Sequence, residues 1–514
     1  VSVYKPCDIR GEAATELSAA LYEAWGRGLG RRLSAGAKFV VGGDVRQSTP
    51  PFLAALIDGL CNEGLDVVDL GLLPTPMVHY AKRRLHADGC AIVTASHNPA
   101  TINGLKWMVG DRPPTPDDVA ALQRAAESAG CGSLPGESWC GSCTAAVTNG
   151  AGSATAHPTM TADPTTITGP TDRAGQGRGE EECNPRSRAE PRTLDISFDY
   201  VACLQETFAD SLTAQQHVVL DPMFGCWAAR ARRYLHAIFP QCLFSTVHDV
   251  VDDRFDGRTP DCSRQEELDD LCGAVYRERA HLGVAFDGDG DRVALVDNEG
   301  VALPAEEAAW VLLHCLGKEL KGERFVHDVK LSDRIPEAAR QLGAEPLVER
   351  SGHAFIRTRV RNTAAVFGAE ASGHYFYRAL EGGDDGLYTA CLVIAHLARS
   401  GRTLAEVRRA CPPIYITPDL RVAVAPDVQP RIIQQIRAAW EGFPQRTVDG
   451  VRIDTPGGWA LARSSVTEPA MTFRFEGLDW HALDDLVERF CHAMPEYGDE
   501  LWGRFKAAVG GEES

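Results

Sequence analysis

The sequence predicts an α/β protein built from successive strand–helix–strand units and closed by a smaller α+β domain. Two observations carry this. Short β-branched runs alternate with helical stretches along most of the chain, the spacing of parallel strands joined by crossover helices. After Pro412-Pro413 and Pro418 the pattern changes to alternating strands and helical patterns. Over 1–130, strands are expected at 39–41, 66–70 and 90–94, with helices from Pro50-Pro51 to Cys61 and over 77–85. Residues 131–193 break the pattern: they are rich in Gly, Ser, Thr, Ala and Pro and have no apolar period. Such a segment buries too little apolar surface to offset its ordering entropy, so it is expected to be a flexible insertion, dispensable for chemistry. Over 194–298 the alternation resumes, with strands at 217–220 and 281–286 that end in Asp221 and Asp287. A third unit, 299–410, has a helix over 304–320 and a strand at 325–329. The last unit, 411–514, has strands at 420–424 and 471–475 and two helical patterns.

Composition narrows the function. A length of 514 residues suits three or four domains. The formal net charge of −19 argues against nucleic acid or an acidic membrane as the main partner. A small anionic substrate would need its own cluster of Arg and Lys. The first ten residues have no signal-type apolar core, and the apolar run 308–316 is short and contains His314. A soluble cytoplasmic protein, a monomer or homodimer, is expected. The 16 cysteines are scattered, which suits reduced thiols. Cys140 and Cys143, near Cys131, form a CxxC with no second pair to complete a zinc site, and read as a chance pair in the insertion.

Two loops carry chemistry. Thr94-Ala95-Ser96-His97-Asn98-Pro99 follows a strand, where α/β folds gather ligands, although such a run can also be a polar turn. No GxSxG elbow surrounds Ser96, so a hydrolase is disfavoured. Asp287-Gly288-Asp289-Gly290-Asp291-Arg292 follows another strand. Three carboxylates on alternate residues need a counter-charge, and glycines between them let the oxygens converge on one ion. An all-oxygen set suits Mg²⁺. An EF-hand needs further ligands, whereas a strand-like run follows here at once; the other alternative is a solvated acidic turn. A metal trio beside a strand-end serine points to phosphoryl transfer. With no Walker A or kinase-type loop present, a nucleotide donor is disfavoured.

With these motifs, the chain resembles the α-D-phosphohexomutase superfamily, and within it the bacterial phosphomannomutase/phosphoglucomutase group. Two further runs match in the family's order: Ala369-Glu370-Ala371-Ser372-Gly373-His374 resembles the sugar-recognition loop, and Arg463-Ser464-Ser465-Val466-Thr467-Glu468-Pro469 the phosphate-binding loop of the last domain. The resemblance implies three related α/β domains with mixed sheets and a C-terminal α+β domain around a central cleft. It implies that Ser96 is the phosphoserine and that its phosphate joins Asp287, Asp289 and Asp291 on Mg²⁺. By the same resemblance Arg10 contacts the transferring phosphate, Lys106 does general acid/base work, and His97 and His374 face the reacting groups. Arg292, Lys330, His353, Glu370 and Ser372 become sugar-phosphate contacts. Arg463, Ser465, Thr467 and Arg474 hold the non-reacting phosphate, a task suited to bidentate arginine.

The reaction so implied moves phosphate between the 6- and 1-positions of mannose or glucose phosphate, with hexose 1,6-bisphosphate as intermediate and activator. Glucosamine phosphate is the alternative substrate, and a catalytically weak regulatory relative the alternative class. Four departures from the family pattern bear on substrate preference: Val466 replaces an Asn, Cys7 an aromatic residue, Phe224-Gly225 an Asn-Gly, and Ala369 a commoner residue.

Overall fold

The computed structural model describes residues 2–129, 187–211, 213, 215–465 and 469–509. Most of 131–193, including Cys131, Cys140 and Cys143, lies outside the described residues, as do Val466, Thr467 and Glu468.

The first sheet is ordered Ile9–Glu12, Ile102–Val109, Gly89–Val93, Lys38–Gly43, Asp66–Leu72, Arg192–Thr193. Side chains alternate across Lys38–Gly43. Phe39 and Val41 pack with Trp25, Leu56 and Trp107 on one face, while Val40 joins Ile92, Tyr200, Trp227 and Phe286 on the other. The second of these cores runs on through Trp310 and Leu387, so the first three domains share one apolar interior.

The expected parallel pairing holds where Lys38–Gly43 meets Asp66–Leu72 and Gly89–Val93. Beyond that the sheet is mixed, as the family resemblance implied: Ile102–Val109 returns antiparallel to Gly89–Val93, and Ile9–Glu12 is antiparallel to it in turn. The link through the Ser96 loop is too short for a crossover helix, so the chain can only double back.

The second sheet is ordered Val293–Val296, Leu282–Phe286, His217–Asp221, Leu243–Thr246, and the third Glu345–Glu349, Arg324–Asp328, Phe367–Ala369, Tyr375–Tyr377, Gly383–Asp384. Both repeat the device. Leu282–Phe286 returns antiparallel as Val293–Val296 after the aspartate loop, and Phe367–Ala369 as Tyr375–Tyr377 after the Glu370 loop. The fourth domain is an antiparallel sheet in which Gly458–Ser464 returns as Ala470–Gly477. It carries three helices, Gln429–Ala439, Trp480–His492 and Gly498–Val509, rather than the two helical patterns read from sequence.

The C-terminal end of the segment read as an insertion lies along the first sheet. Arg192–Thr193 pairs in parallel with Val68 and Asp69, and Arg192 grips Asp66 through two hydrogen bonds of 3.0 and 2.9 Å. Among the described residues no helix is long and apolar enough to cross a membrane.

Helices Ala19–Gly30 and Thr49–Asn62 meet backbone to backbone. A Cβ at Gly59 would lie 2.2 Å from the Glu23 carbonyl oxygen, and one at Gly26 would lie 2.4 Å from that of Leu56. Gly59→Ala must push the helices apart, and is expected to destabilise the first domain by about 1–3 kcal/mol. Thermal unfolding checks this; an unchanged midpoint would refute the close-contact account.

Candidate active site

Ser96 sits where Gly89–Val93 ends, in the left-handed region at φ +54°. Its Oγ donates to Asp287 Oδ2 at 2.7 Å, which joins the first domain to the second. The aspartate loop curls around its own first carboxylate: Asp287 Oδ1 accepts from the backbone N–H of Gly290 (3.0 Å) and Arg292 (3.1 Å). The two glycines of this loop have separate tasks. Gly290 adopts φ +79° over Trp227, whose Nε1 donates to its carbonyl at 3.0 Å. Gly288 lets the loop approach the serine, since a Cβ there would lie 2.7 Å from the Ser96 carbonyl oxygen.

Lys106 reaches across from the first domain to Asp289 Oδ2 (2.8 Å) and Asp291 Oδ2 (2.7 Å). Thr75 donates to Asp289 Oδ2 at 2.8 Å. The other oxygens, Asp289 Oδ1 and Asp291 Oδ1, are buried and have no hydrogen-bond partner among the described residues. One oxygen from each of the three aspartates lies within 4.8 Å of the others. Orphaned, converging carboxylate oxygens are the donor set a hard divalent cation takes, so the residues fit Mg²⁺. Their titration reflects the crowding. Burial, then Asp291 and Asp289, pushes Asp287 well above the ordinary carboxylate range. Burial is the largest influence and works against ionised Asp289 and Asp291, but Lys106, joined by Thr75 at Asp289 and by His374 and Arg292 at Asp291, holds both below that range. Lys106 in turn is raised, the two carboxylates overcoming its burial, and is an ammonium here.

Around this centre Arg292 Nε donates to His374 Nε2 at 2.9 Å, which puts the neutral ring's proton on Nδ1, 2.7 Å from Asp384 Oδ2. His353 stacks on His374 with ring centroids 5.8 Å apart, and burial, with Lys106 nearby, lowers its pKa to about 4. Burial, with Arg292 and Arg10 beyond it, pushes His97 well below the ordinary histidine value, and its Nδ1 has no partner among the described residues. Arg10 pairs with Asp8 at 2.9 Å, and no hydrogen bond or ion pair joins it to Ser96.

The loops at 370–374 and 463–469 complete the candidate site. Glu370 Oε1 accepts from Gly352 N at 3.0 Å, while Glu370 Oε2 and Ser372 Oγ are buried without partners among the described residues. Lys330 and Arg474 converge on Asp419, at 3.1 and 3.7 Å, and Arg474 also donates to Glu306 at 2.8 Å. Arg463 Nε lies 2.8 Å from Asp449 but off the hydrogen-bond line, so it too is unmet, as is Arg474 Nε. Ser465 N closes its loop on the Ala470 carbonyl at 2.8 Å. Thr467 lies outside the described residues.

The structure thus gathers Ser96, Lys106, Asp287, Asp289, Asp291, Arg292, His353 and His374 around one centre; Glu370 and Ser372 adjoin it through the loop that carries His374, and Lys330, Arg463 and Arg474 are held by Asp419, Asp449 and Glu306. Sequence reasoning missed Thr75, Asp384, Asp419 and Asp449, and also the buried pair Asp44 and Arg46 behind Ser96. Asp44 follows a predicted strand, the same signal that singled out Asp287, and could have been found that way. Asp221 shows the limit of that signal: it bonds Met223 N and His248, away from the centre.

Comparison with known proteins identifies the family. Family models described as phosphoglucomutase/phosphomannomutase α/β/α domains I, II and III match residues 3–129, 199–300 and 305–415. A phosphomannomutase/phosphoglucomutase of Pseudomonas aeruginosa is 29% identical over 480 residues, 92% of this chain and 91% of that one. A phosphomannomutase of Escherichia coli is 28% identical over 489 residues, 93% of this chain and 95% of that one. The crystal structure of a phosphoglucomutase/phosphomannomutase family protein from Burkholderia thailandensis superposes with a TM-score of 0.78 at 27% identity, covering 99% of this chain and 98% of that one. The three matched domains span most of the sequence, and the chain belongs to the phosphoglucomutase/phosphomannomutase family.

Proposed function

We propose that the protein interconverts the 6- and 1-phosphates of mannose or glucose through phospho-Ser96 and a hexose 1,6-bisphosphate. The observation that carries this reading is Ser96 Oγ, 2.7 Å from Asp287 in a loop whose other two aspartates each present an orphaned buried oxygen. Asp287, Asp289, Asp291 and the Ser96 phosphate would hold Mg²⁺, which when bound neutralises charge on the phosphoryl group. Phospho-Ser96 gives its phosphoryl group to the free sugar hydroxyl: the Ser Oγ–P bond breaks as the sugar O–P bond forms, and the hydroxyl proton leaves. The hydroxyl proton is balanced by one gained at Ser96 Oγ: Lys106, an ammonium, would be the acid that protonates the departing Ser96 oxygen, and His374, once Arg292 releases its Nε2, the base that takes the hydroxyl proton, while Arg10 and Arg292 offset charge on the moving phosphoryl. Glu370 and Ser372 accept sugar hydroxyls, and Arg463, Ser465, Thr467 and Arg474 hold the other phosphate. After the bisphosphate turns over, its opposite phosphate returns to Ser96. A cytoplasmic location belongs to the same reading, which the scattered spacing of the cysteines suits.

A coupled assay on glucose 1-phosphate with a trace of glucose 1,6-bisphosphate, run in parallel with mannose and glucosamine phosphates, tests the activity and ranks the sugars. Intact-mass analysis of the active protein is expected to show one phosphate, mapped to Ser96. Ser96→Ala is expected to lose turnover; full activity with no other phosphorylated residue would end the carrier reading.

Metal binding carries a signed pH dependence. Asp287 is lifted above the ordinary range without metal and must be ionised to coordinate, so Mg²⁺ binding releases a proton and weakens as pH falls. Titration calorimetry of unphosphorylated protein at two pH values, in buffers of different ionisation enthalpy, is expected to show proton release and a lower affinity at the lower pH. A pH-independent affinity would contradict this picture of the site, and Asp289→Asn should weaken Mg²⁺ binding and turnover together.

A further inference from the structure

We infer that Arg46, braced by Asp44, is the positioning residue that sets the phosphoserine loop for transfer; the inference rests on Ser96 being the phosphoryl carrier. Both side chains are fully buried, and among the described residues neither hydrogen-bonds the metal loop directly; Thr94 Oγ1, which donates to Asp44, also lies 3.3 Å from Asp289 Oδ2. Arg46 spends its guanidinium on the backbone of the serine loop. Its Nη2 donates to the carbonyls of Ser96 (3.0 Å) and Asn98, and its Nε to that of Ile102 (2.8 Å). Its Nη1 donates to Asp44 Oδ2 at 2.7 Å. Asp44 is held by Thr49 Oγ1 at 2.7 Å and accepts from Thr94 Oγ1 at 2.7 Å. Thr94 Oγ1 accepts from Ser96 N at 2.8 Å. The pair therefore grips Ser96 at both ends, the amide through Asp44 and Thr94 and the carbonyl through Arg46.

That grip answers a specific need. Ser96 lies at φ +54°, a conformation that a non-glycine residue keeps only when its surroundings over-determine it. Only with the backbone so turned does Oγ face Asp287. Arg46 also stacks 4.9 Å over Phe255 of the second domain, the domain that carries the metal loop. One guanidinium thus fixes the serine's backbone and packs against the domain holding the aspartates. Lysine cannot reproduce this: it keeps the charge beside Asp44 but lacks the planar fork that spans several carbonyls.

The test is Arg46→Lys in the full chain with Mg²⁺ bound. Misplacing a reacting group by about 1 Å costs on the order of 100-fold in rate, so kcat is expected to fall about 10- to 100-fold while KM changes less than about threefold. Loading of Ser96 from glucose 1,6-bisphosphate in a single turnover should slow in proportion, while the thermal midpoint and Mg²⁺ affinity stay near those of the parent. Arg46→Ala should regain part of its rate in added guanidinium. A folded Arg46→Lys with parental kcat, or one whose KM rises at unchanged kcat, overturns the inference, as does a fall in thermal midpoint without a fall in loading rate. Should Arg46→Lys not fold, the isosteric Asp44→Asn is read by the same loading rate. Failure of the carrier reading is seen separately, as parental protein that turns over with no phosphate on Ser96.

Discussion

Three carboxylates within five residues, all buried, make the Asp287–Asp291 loop the most demanding electrostatic element of the molecule. In water such a loop would be an ordinary acidic turn. Out of water it stands only if other parts of the chain bring positive charge and hydrogen bonds to it. The second domain supplies backbone amides to Asp287, and the first domain supplies the rest: Lys106 to Asp289 and Asp291, Thr75 to Asp289, Ser96 to Asp287. Beside their shared apolar core, the two domains are therefore joined by the neutralisation of one loop by the other. The glycines at 288 and 290 matter because side chains there would push these loops apart or displace Trp227 beneath them.

The positions of all four functional loops follow from one topological habit. In each α/β domain a strand is followed directly by an antiparallel return strand, and the short connection is the functional loop. The fourth domain presents its phosphate loop on a hairpin of the same kind. Short returns have both ends fixed by sheet hydrogen bonds, so they hold side chains with less freedom than the longer connections of crossover units. The shared apolar core behind the first three sheets then fixes these loops relative to one another. The Arg292–His374 bond and the Val293 N–Gly373 carbonyl bond link the second domain's loop to the third's directly.

How much of this was legible in the sequence depended on how local the signal was. The strands at 39–41, 66–70 and 217–220 are β-branched runs, and the structure extends them by one to three residues. The serine and aspartate loops were legible as contiguous motifs after strands. Antiparallel return strands such as Ile102–Val109 were legible only as the mixed sheets the family resemblance implied, because strand–helix–strand spacing says nothing about a strand that follows without a helix. Asp384, Asp419 and Asp449 were missed for a different reason. A single carboxylate in a charged sequence looks like a surface group, and its meaning comes only from the His374, Lys330 or Arg463 it meets far away in the chain. Thr75 was hidden in the same way, its partner Asp289 lying in another domain.

An acidic protein that binds an anionic sugar raises a question that net charge cannot answer. Each basic group of the cleft already has a carboxylate of its own: Arg10 has Asp8, Lys106 has Asp289 and Asp291, Lys330 has Asp419, Arg463 has Asp449, and Arg474 has Glu306. These pairs make it feasible to bury so many cations without a ligand, since an unpaired buried charge costs several kcal/mol or more. They also mean that a phosphate does not meet bare charge. It meets cations whose charge is largely cancelled but whose hydrogen-bonding capacity is not, as the unmet Nε atoms of Arg463 and Arg474 show. Directional donors that are neutralised yet unsatisfied discriminate by geometry more than by charge. On the proposed mechanism that is what the site must do, since it would hold one phosphate of a bisphosphate, release it, and accept the other in its place.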